Sequence, residues 1–514
     1  MGELFASSGH DVTMLVSEFA PGLSKRPKLK KIKHELVNQV ITDPEEQRRF
    51  AAILGEVKFE PEPITFGKIK DALSTMRMVF VGHCEALLDN KEIMSKLMSQ
   101  HFDVVAYHMA DVCGPGIAHL KGVQSTIHLS TAFMTEFAAW YSGTPWPIAV
   151  LPMSFGSFSN EMNIIERFQT LVGYGALNAV YSLIVLPTGT NVFRQRYGDD
   201  FPALSSLIAK TQLYYANDDE LIDYPRPNMP NTIYVGGFDL DTRQGAQPLP
   251  KEWIDIVNST RSREHGFILF SLGSVVNTKF MPENIKMMYF NVFRRLKQTV
   301  IWRFEGDLPE AAGTNVHLAG WMPQSQLLQH KNIKAFITHA GFNSVLESGI
   351  AGVPLVMMPC FGDQFANVRR VERLGFGTHL DKGSLTEEAI YDAVTAVIDD
   401  QSYKANASRI SQMLAQKPVS NRENCIRWME FLAQFKTLPF EPTATHNIGV
   451  FRYFLLDIII IAHVFFFIGL FCWYAFARFC WRKLCRSRAS GPVQKSKSSK
   501  QQHHHQGQKK QKKN

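Results

Sequence analysis

The chain has 514 residues, 45% hydrophobic and 20% charged, with a formal net charge of +8. That composition fits a globular protein with room for two sizeable domains and excludes a disordered one. The positive charge gathers after Phe476, in Arg478, Arg482, Lys483, Arg486, Arg488 and later lysines, so it gives no ground for a nucleic-acid partner.

The first residues, MGELFASSGHDVTMLVSEF, hold no apolar run preceded by positive charge of the kind that directs secretion. Up to about Gly237 the chain mixes strand-like apolar runs (VTMLV, FDVVAY, LIVLP) with helical stretches. A turn-rich connection, GGFDLDTRQGAQPLP, sets a boundary between a first domain, 1–240, and a second, 241–445. In the second domain, strands FILFS, TVIWRF, KAFIT and VPLVMM alternate with helical segments over short loops. That alternation predicts parallel βα units with helices on both faces. Two such domains would face a cleft at their strand C-termini, where ligands bind in folds of this kind.

Residues 453–477, YFLLDIIIIAHVFFFIGLFCWYAFA, are long and apolar enough for a transmembrane helix, interrupted by Asp457 and His463. The basic cluster after it places the 478–514 tail in the cytoplasm and the body in a lumen by the positive-inside rule. The tail is low-complexity and is expected to be disordered; its histidines at 503–505 belong to that polar tail. Cys84, Cys113, Cys360 and Cys425 lie in the body, and Cys472, Cys480 and Cys485 in or beside the apolar stretch. A lumen permits a disulfide, but the spacing assigns none. Asn258 and Asn406 open N-x-S/T tripeptides.

The residues with chemistry to offer cluster at predicted strand ends. FSLGS supplies Ser271, Gly273 and Ser274, where glycine allows close backbone approach and hydroxyls and amides can hold phosphate. Trp321 offers a flat face to a pyrimidine, with Gln324 beside it to read the base edge. In THAGFNS, His339 ends a strand, and Gly341, Asn343 and Ser344 lead into a helix whose first amides favour an anion. Ser344 and Glu347 also spell a capping box, so Glu347 either folds back on that helix or accepts hydrogen bonds from ribose hydroxyls. Asp363 and Gln364 follow the next buried strand and together suit vicinal sugar hydroxyls.

WMPQ, LLQH, FITHAGFNSVLES and GVPLVMMPCFGDQFANVRR, in this order and spacing, resemble the signature of the UDP-glycosyltransferases, the animal UDP-glucuronosyltransferase group. PRPNMPNTIYVGGFDL, VIWRFEG and the apolar stretch with its basic tail add to the likeness. The resemblance implies an α/β GT-B fold: two Rossmann-like domains facing a cleft, plus the C-terminal transmembrane helix. It implies a UDP-sugar as co-substrate, with no cofactor and no metal, and a small lipophilic acceptor bound by the first domain. It places Trp321 on uracil, His339, Asn343 and Ser344 near the diphosphate, Glu347 on ribose, and Asp363 with Gln364 on the sugar. His339 and the helix amides would offset the phosphate charge. Asp239-Leu-Asp241 resembles a metal-binding D-x-D of another glycosyltransferase fold, but here reads as a turn in the linker.

The family's base is a histidine in a loop ahead of a helix that ends in G-H-x-V-T. This chain begins inside that helix, so the loop is expected to belong to a start that is missing. The acidic partner's position in FDVVAYHMADVCGP holds His108, with Asp111 three residues on; both are candidates for a catalytic role. Two readings stay open: a membrane-anchored hexosyltransferase using UDP-glucuronic acid or UDP-glucose, and a paralogue that binds UDP-sugar and acts through homo- or hetero-oligomers with relatives. The C-terminal KQKKN resembles a dilysine retrieval signal, which implies the endoplasmic reticulum membrane.

Overall fold

The structure is a computed structural model. It describes residues 1–19, 31–47, 74–75, 77–240, 248–273, 276, 278, 281–306, 308, 311, 313–440, 451–452 and 454–489. Ser274, Asp241, the histidines at 503–505 and the KQKKN end lie outside the described residues.

Three parallel sheets carry the fold. The first pairs β1 (Thr13–Glu18) with β2 (His34–Gln39). The second runs β3 (Val105–His108), β4 (Thr126–Ser130), β5 (Leu213–Ala216) and β6 (Thr232–Tyr234) in sequential order. The third has six strands: β7 (Phe267–Ser271), β8 (Thr299–Arg303), β9 (Val316–Ala319), β10 (Ile333–Thr338), β11 (Leu355–Met357) and β12 (Gly377–His379). Its order is β12-β11-β10-β7-β8-β9. β7 and β11 are buried along their whole length, as expected of strands covered by helices on both faces. Because β8 lies on one side of β7 and β10 on the other, the chain reverses direction at the β7/β10 seam, and that seam is where such sheets open a crevice.

One expected strand is absent. LIVLP, at 183–187, is helical: it falls in the π-turn Tyr181–Val185 and the start of the helix Leu186–Tyr197, which continues from the helix Ile164–Val180. A short apolar run has no periodicity to separate strand from helix, and Pro187 is tolerated near the first helical position. The helix Asn421–Phe435, inside the expected second domain, packs instead with the first. Its Cys425, Met429 and Leu432 join Ile127, Leu213 and Tyr215 in one apolar cluster, and Tyr215 donates to the Cys425 carbonyl at 2.8 Å.

Residues Met1–Asn447 form one compact unit. Its two halves are joined by buried charge. Asp223, from the first half, accepts from Arg370 Nε at 2.8 Å and from Arg226. Burial opposes ionisation of Asp223, but the two guanidiniums outweigh it and hold its carboxyl below the usual range. Neighbouring Asp218 is pushed well above its usual value by burial and by Asp223. The Arg370 guanidinium also lies 3.9 Å from the Phe133 ring centroid and 4.9 Å from that of Tyr224. The described part of the second unit includes the helix Leu456–Ala489, whose stretch Leu456–Arg486 is apolar and exposed over the length of a membrane span.

A disulfide joins Cys84 and Cys113, 29 residues apart. Spacing alone could not assign it, because the pairing depends on packing the helix His83–Asp89 beside the helix Cys113–Leu120.

Two stability measurements follow. Cys84→Ser is expected to lower the unfolding free energy in urea by about 3–4 kcal/mol, from the loop entropy released in the unfolded chain. Asp223→Ala leaves two buried guanidiniums without their carboxylate and is expected to cost about 3–5 kcal/mol in the same titration. A loss below about 1 kcal/mol would show that the cluster relaxes without its anion.

Candidate functional site

The C-terminal ends of β7 and β10 lie side by side, with Ser271 in register with Thr338. The loops that leave them therefore share one crevice. Gly273, at φ +77°, and Gly341 flank the His339 ring from two sides: a Cβ on Gly273 would lie 2.5 Å from the ring, and one on Gly341 also 2.5 Å from it. Both glycines are thus required by the imidazole between them. Ala340 is held in the left-handed region at φ +63°, and its carbonyl accepts from Asn367 Nδ2 at 2.9 Å. A strained residue of this kind persists only where its surroundings fix it.

His339 is buried, and burial, with a smaller effect from Arg303, lowers it to about 4. At neutral pH it is an uncharged hydrogen-bonding group. Two cations line the same cavity: Arg422, and Arg303 at the end of β8, whose guanidinium lies 5.2 Å from the Trp321 ring centroid. Nothing in the sequence motif singled out Arg303; the pairing of β8 with β7 brings it to the crevice. Trp321 itself is 63% exposed and presents an aromatic surface to the cavity.

The helix Phe342–Ala351 starts at this crevice with Gly341 as its N-cap and no side-chain cap. The capping box that Ser344 and Glu347 could have made is therefore not formed. Glu347 instead accepts from Gln324 Nε2 at 2.9 Å. Burial raises its carboxyl to about 7, with Asp239 adding to the effect. Asn343 accepts from Asn217 Nδ2 at 2.7 Å, a contact between the two halves, and Ser344 is buried.

After β11, Gln364 uses its carbonyl oxygen on the loop, accepting from the amides of Cys360 at 2.7 Å and Phe361 at 3.0 Å. Its Nε2 is the group it can offer a ligand. Asp363 accepts from Asn367 Nδ2 at 2.8 Å, and burial raises its carboxyl.

These groups line a cavity of about 820 Å³. Gly273, Trp321, Gln324, His339, Gly341, Asn343, Ser344, Glu347, Asp363 and Gln364, all expected from sequence, border it together with Arg303. Ser271 is buried behind the wall, where its Oγ accepts from the Gly273 amide at 3.3 Å. The opposite side comes from the first half: Met109, Phe133, Ser154 and Phe155. One side is thus rich in hydrogen-bonding groups, and the other sets apolar Met109 and Phe155 among the hydroxyls of Thr131, Thr135 and Ser154. Among the described residues, no cluster of His, Cys, Asp and Glu is arranged to hold a metal. Asp239 stands on the cavity wall.

The side chains of His108 and Asp111 are not paired with each other; the Asp111 amide donates to the His108 carbonyl at 2.8 Å. Asp111 Oδ1 lies 2.8 Å from His83 Nε2 and accepts the amides of Cys113 and Gly114 at 2.7 and 3.1 Å. Burial opposes charge on both partners, yet their contact raises His83 and lowers Asp111. His108 Nδ1 accepts from the Ala110 amide at 3.2 Å, so its proton sits on Nε2, 3.1 Å from Thr131 Oγ1. His108 borders a second cavity of about 310 Å³, which it shares with Thr131, Asn343 and Glu347. His83 was not singled out from sequence; the disulfide neighbour Cys84 was the available signal.

The sequence matches the family described as UDP-glucoronosyl and UDP-glucosyl transferase over residues 2–489. Human UDP-glucuronosyltransferase 1A1 is 34% identical over 398 residues, 77% of this chain and 72% of that protein. The 2-hydroxyacylsphingosine 1-beta-galactosyltransferase of Rattus norvegicus is 33% identical over 387 residues, 74% of this chain and 68% of that protein. Among solved structures, Os79 from O. sativa, in complex with U2F and trichothecene, superposes with a TM-score of 0.54 at 16% identity, over 84% of this chain and 95% of that one. The fold is GT-B.

Two measurements test this geometry. Gly273→Ala drives a methyl group into His339 and is expected to weaken UDP binding at least tenfold, about 1.4 kcal/mol, in calorimetric titration. A ribose hydroxyl donates best to an ionised Glu347, whose carboxyl titrates at about 7, so UDP affinity should rise as pH increases from 6 to 8. Glu347→Gln should flatten that profile; a profile unchanged by the substitution would remove Glu347 from the ligand contacts.

Proposed function

We propose, from the premise that this chain belongs to the UDP-glucoronosyl and UDP-glucosyl transferase family, that it is a membrane-anchored enzyme moving a hexosyl group from a UDP-sugar to a small lipophilic acceptor. As a UDP-glycosyltransferase it has two substrates to hold, and the observation that carries the reading is the two-sided cavity. The Trp321 face takes the uracil, and Glu347 accepts from the ribose. The amides at the start of the helix Phe342–Ala351, neutral His339 and cationic Arg303 take the diphosphate. Asp363 and the Gln364 amide hold the sugar hydroxyls. Met109 and Phe155 offer the acceptor an apolar surface.

In the transfer, an acceptor oxygen bonds to the anomeric carbon while the bond from that carbon to UDP breaks. UDP leaves with the bonding electrons, and the acceptor proton passes to a base within hydrogen-bond reach. His108 supports a second reading, donor binding without transfer, because its Nε2 carries a proton toward Thr131 and Asp111 is taken by His83. UDP release in the presence of a phenolic acceptor separates the two: a donor-induced thermal shift without UDP release selects the second.

The apolar helix Leu456–Arg486 supports a single-pass anchor, and the Cys84–Cys113 disulfide supports an oxidising compartment for the body. With the basic residues beyond the helix, these favour the endoplasmic reticulum membrane with the body lumenal. Asn258 is exposed and suits glycosylation there, whereas Asn406 Nδ2 donates to the Gly375 carbonyl.

Thermal-shift titration of the full chain with UDP-glucose and UDP-glucuronic acid tests the donor. At a hundredfold excess over Kd the preferred donor is expected to stabilise the fold by about 2.7 kcal/mol. Asp363→Ala should erase the difference between a UDP-sugar and UDP alone. No shift with either donor or with UDP would overturn the reading.

A further inference from the structure

The helix Leu456–Ala489 runs on past its apolar stretch. Residues 458–477 carry no Asp, Glu, Lys or Arg, and at 1.5 Å per residue they cover about 30 Å, the thickness of a hydrocarbon core. Arg478 is the first charge beyond them. Trp473, Tyr474 and Trp481 stand around this boundary, 58–71% exposed, as the residues of an aromatic belt do.

Beyond the boundary the helix has two unlike sides. At 3.6 residues per turn, Cys480, Leu484, Trp481 and Cys485 fall within an arc of about 140°. Arg478, Arg482, Arg486 and Lys483 fall within a second arc of about 140°, which Phe479 interrupts. Phe476, four residues before Cys480, continues the first side back into the apolar stretch. Both thiols therefore lie on the apolar side, away from the basic one. Cysteine is among the residue types most often buried, yet Cys485 is exposed, Cys480 is half-buried, and neither is in a disulfide.

We infer that Cys480 and Cys485 are sites of S-acylation by a long-chain fatty acid. The inference rests on the anchored reading given above. Depth is the first reason. Cys480 is three residues past the span, about 4.5 Å, and so within the headgroup layer. Cys485 is about 12 Å past it and comes to the same layer as the helix tilts toward its apolar side. An acyl chain on either sulfur folds back into the hydrocarbon. The second reason is charge: the basic side holds this segment against anionic headgroups and leaves the thiols beside lipid. The third is compartment. The basic flank puts this end on the cytoplasmic side, where thiols stay reduced, while the body carries the Cys84–Cys113 disulfide. Juxtamembrane cysteines are the ones open to reversible acylation. Cys472 lies five residues inside the span, about 7.5 Å below its edge, and stays a thiol.

The acyl donor is a long-chain acyl thioester. The cysteine sulfur bonds to the thioester carbonyl carbon, and the bond from that carbon to the carrier's sulfur breaks. The carrier leaves with the bonding electrons and takes up the proton that the cysteine gave up. Nothing is oxidised or reduced. The product has a second apolar attachment beside the span, which fixes the depth of the anchor.

The test is metabolic labelling of the full chain in eukaryotic cells fed an alkyne-tagged palmitate, followed by purification and coupling to a fluorophore. Label that hydroxylamine removes is expected, since hydroxylamine cleaves thioesters. The double substitution Cys480→Ser, Cys485→Ser should lose the label and keep the thermal shift given by UDP. Cys472→Ser should keep both. Label that survives the double substitution, or that disappears with Cys472→Ser, overturns the assignment. Extraction of the same membranes with alkaline sodium carbonate separates the two readings. A chain that stays in the pellet without label overturns the inference and leaves the anchor standing. A chain released to the supernatant overturns both.

Discussion

The buried ion cluster of Asp223, Arg226 and Arg370 is the constraint on which the cleft depends. Asp223 belongs to the first half and Arg370 to the helix Gln364–Leu374 of the second. The same helix begins with Gln364, and Asp363 stands just before it, so an element that lines the cavity is also the element clasped to the other half. Charge in a buried site tolerates little displacement, because each guanidinium that moves away leaves the carboxylate uncompensated. Asn217 on Asn343 and Arg373 on the carbonyls of Ile222 and Asp223 extend the same seam with uncharged acceptors. The cleft width is thus set by hydrogen-bond geometry, not by apolar contact alone.

Within the second half, the site is built on backbone restriction. His339 stands between two glycines, and Ala340 is bent into the left-handed region to turn the chain toward the helix start. Asn367 spans this turn and Asp363, tying the loop after β10 to the loop after β11. The wall is therefore formed before ligand arrives, which lowers the ordering cost of binding. Burial does the electrostatic tuning: it keeps His339 neutral and leaves Glu347 poised near neutrality. Positive charge then comes from Arg303, Arg422 and the helix amides.

The N-terminal half follows a different logic. Its Cys84–Cys113 disulfide brackets the His83–Asp111 pair, and its helix Ile164–Val180 turns apolar residues outward. The run LIVLP, helical where a strand was expected, lies in this region.

The sequence by itself picked out most of the residues that meet on one wall of the cavity. Trp321, His339, Gly341, Glu347, Asp363 and Gln364 are set by short segments at strand ends, and local βα periodicity suffices to put them there. It also determined the apolar helix, which needs only composition and length. Tertiary structure alone decided three things. The β7/β10 seam, a matter of strand order, brought Gly273 against His339 and Arg303 over Trp321. Packing of helices selected Cys84 with Cys113, which spacing had left open, and Asp111 with His83, which no motif had singled out. And the orientation of one helix on its core decided that Ile164 and Phe168 face outward and Tyr174 inward, which hydrophobicity could not reveal because an apolar side chain reads the same in either place.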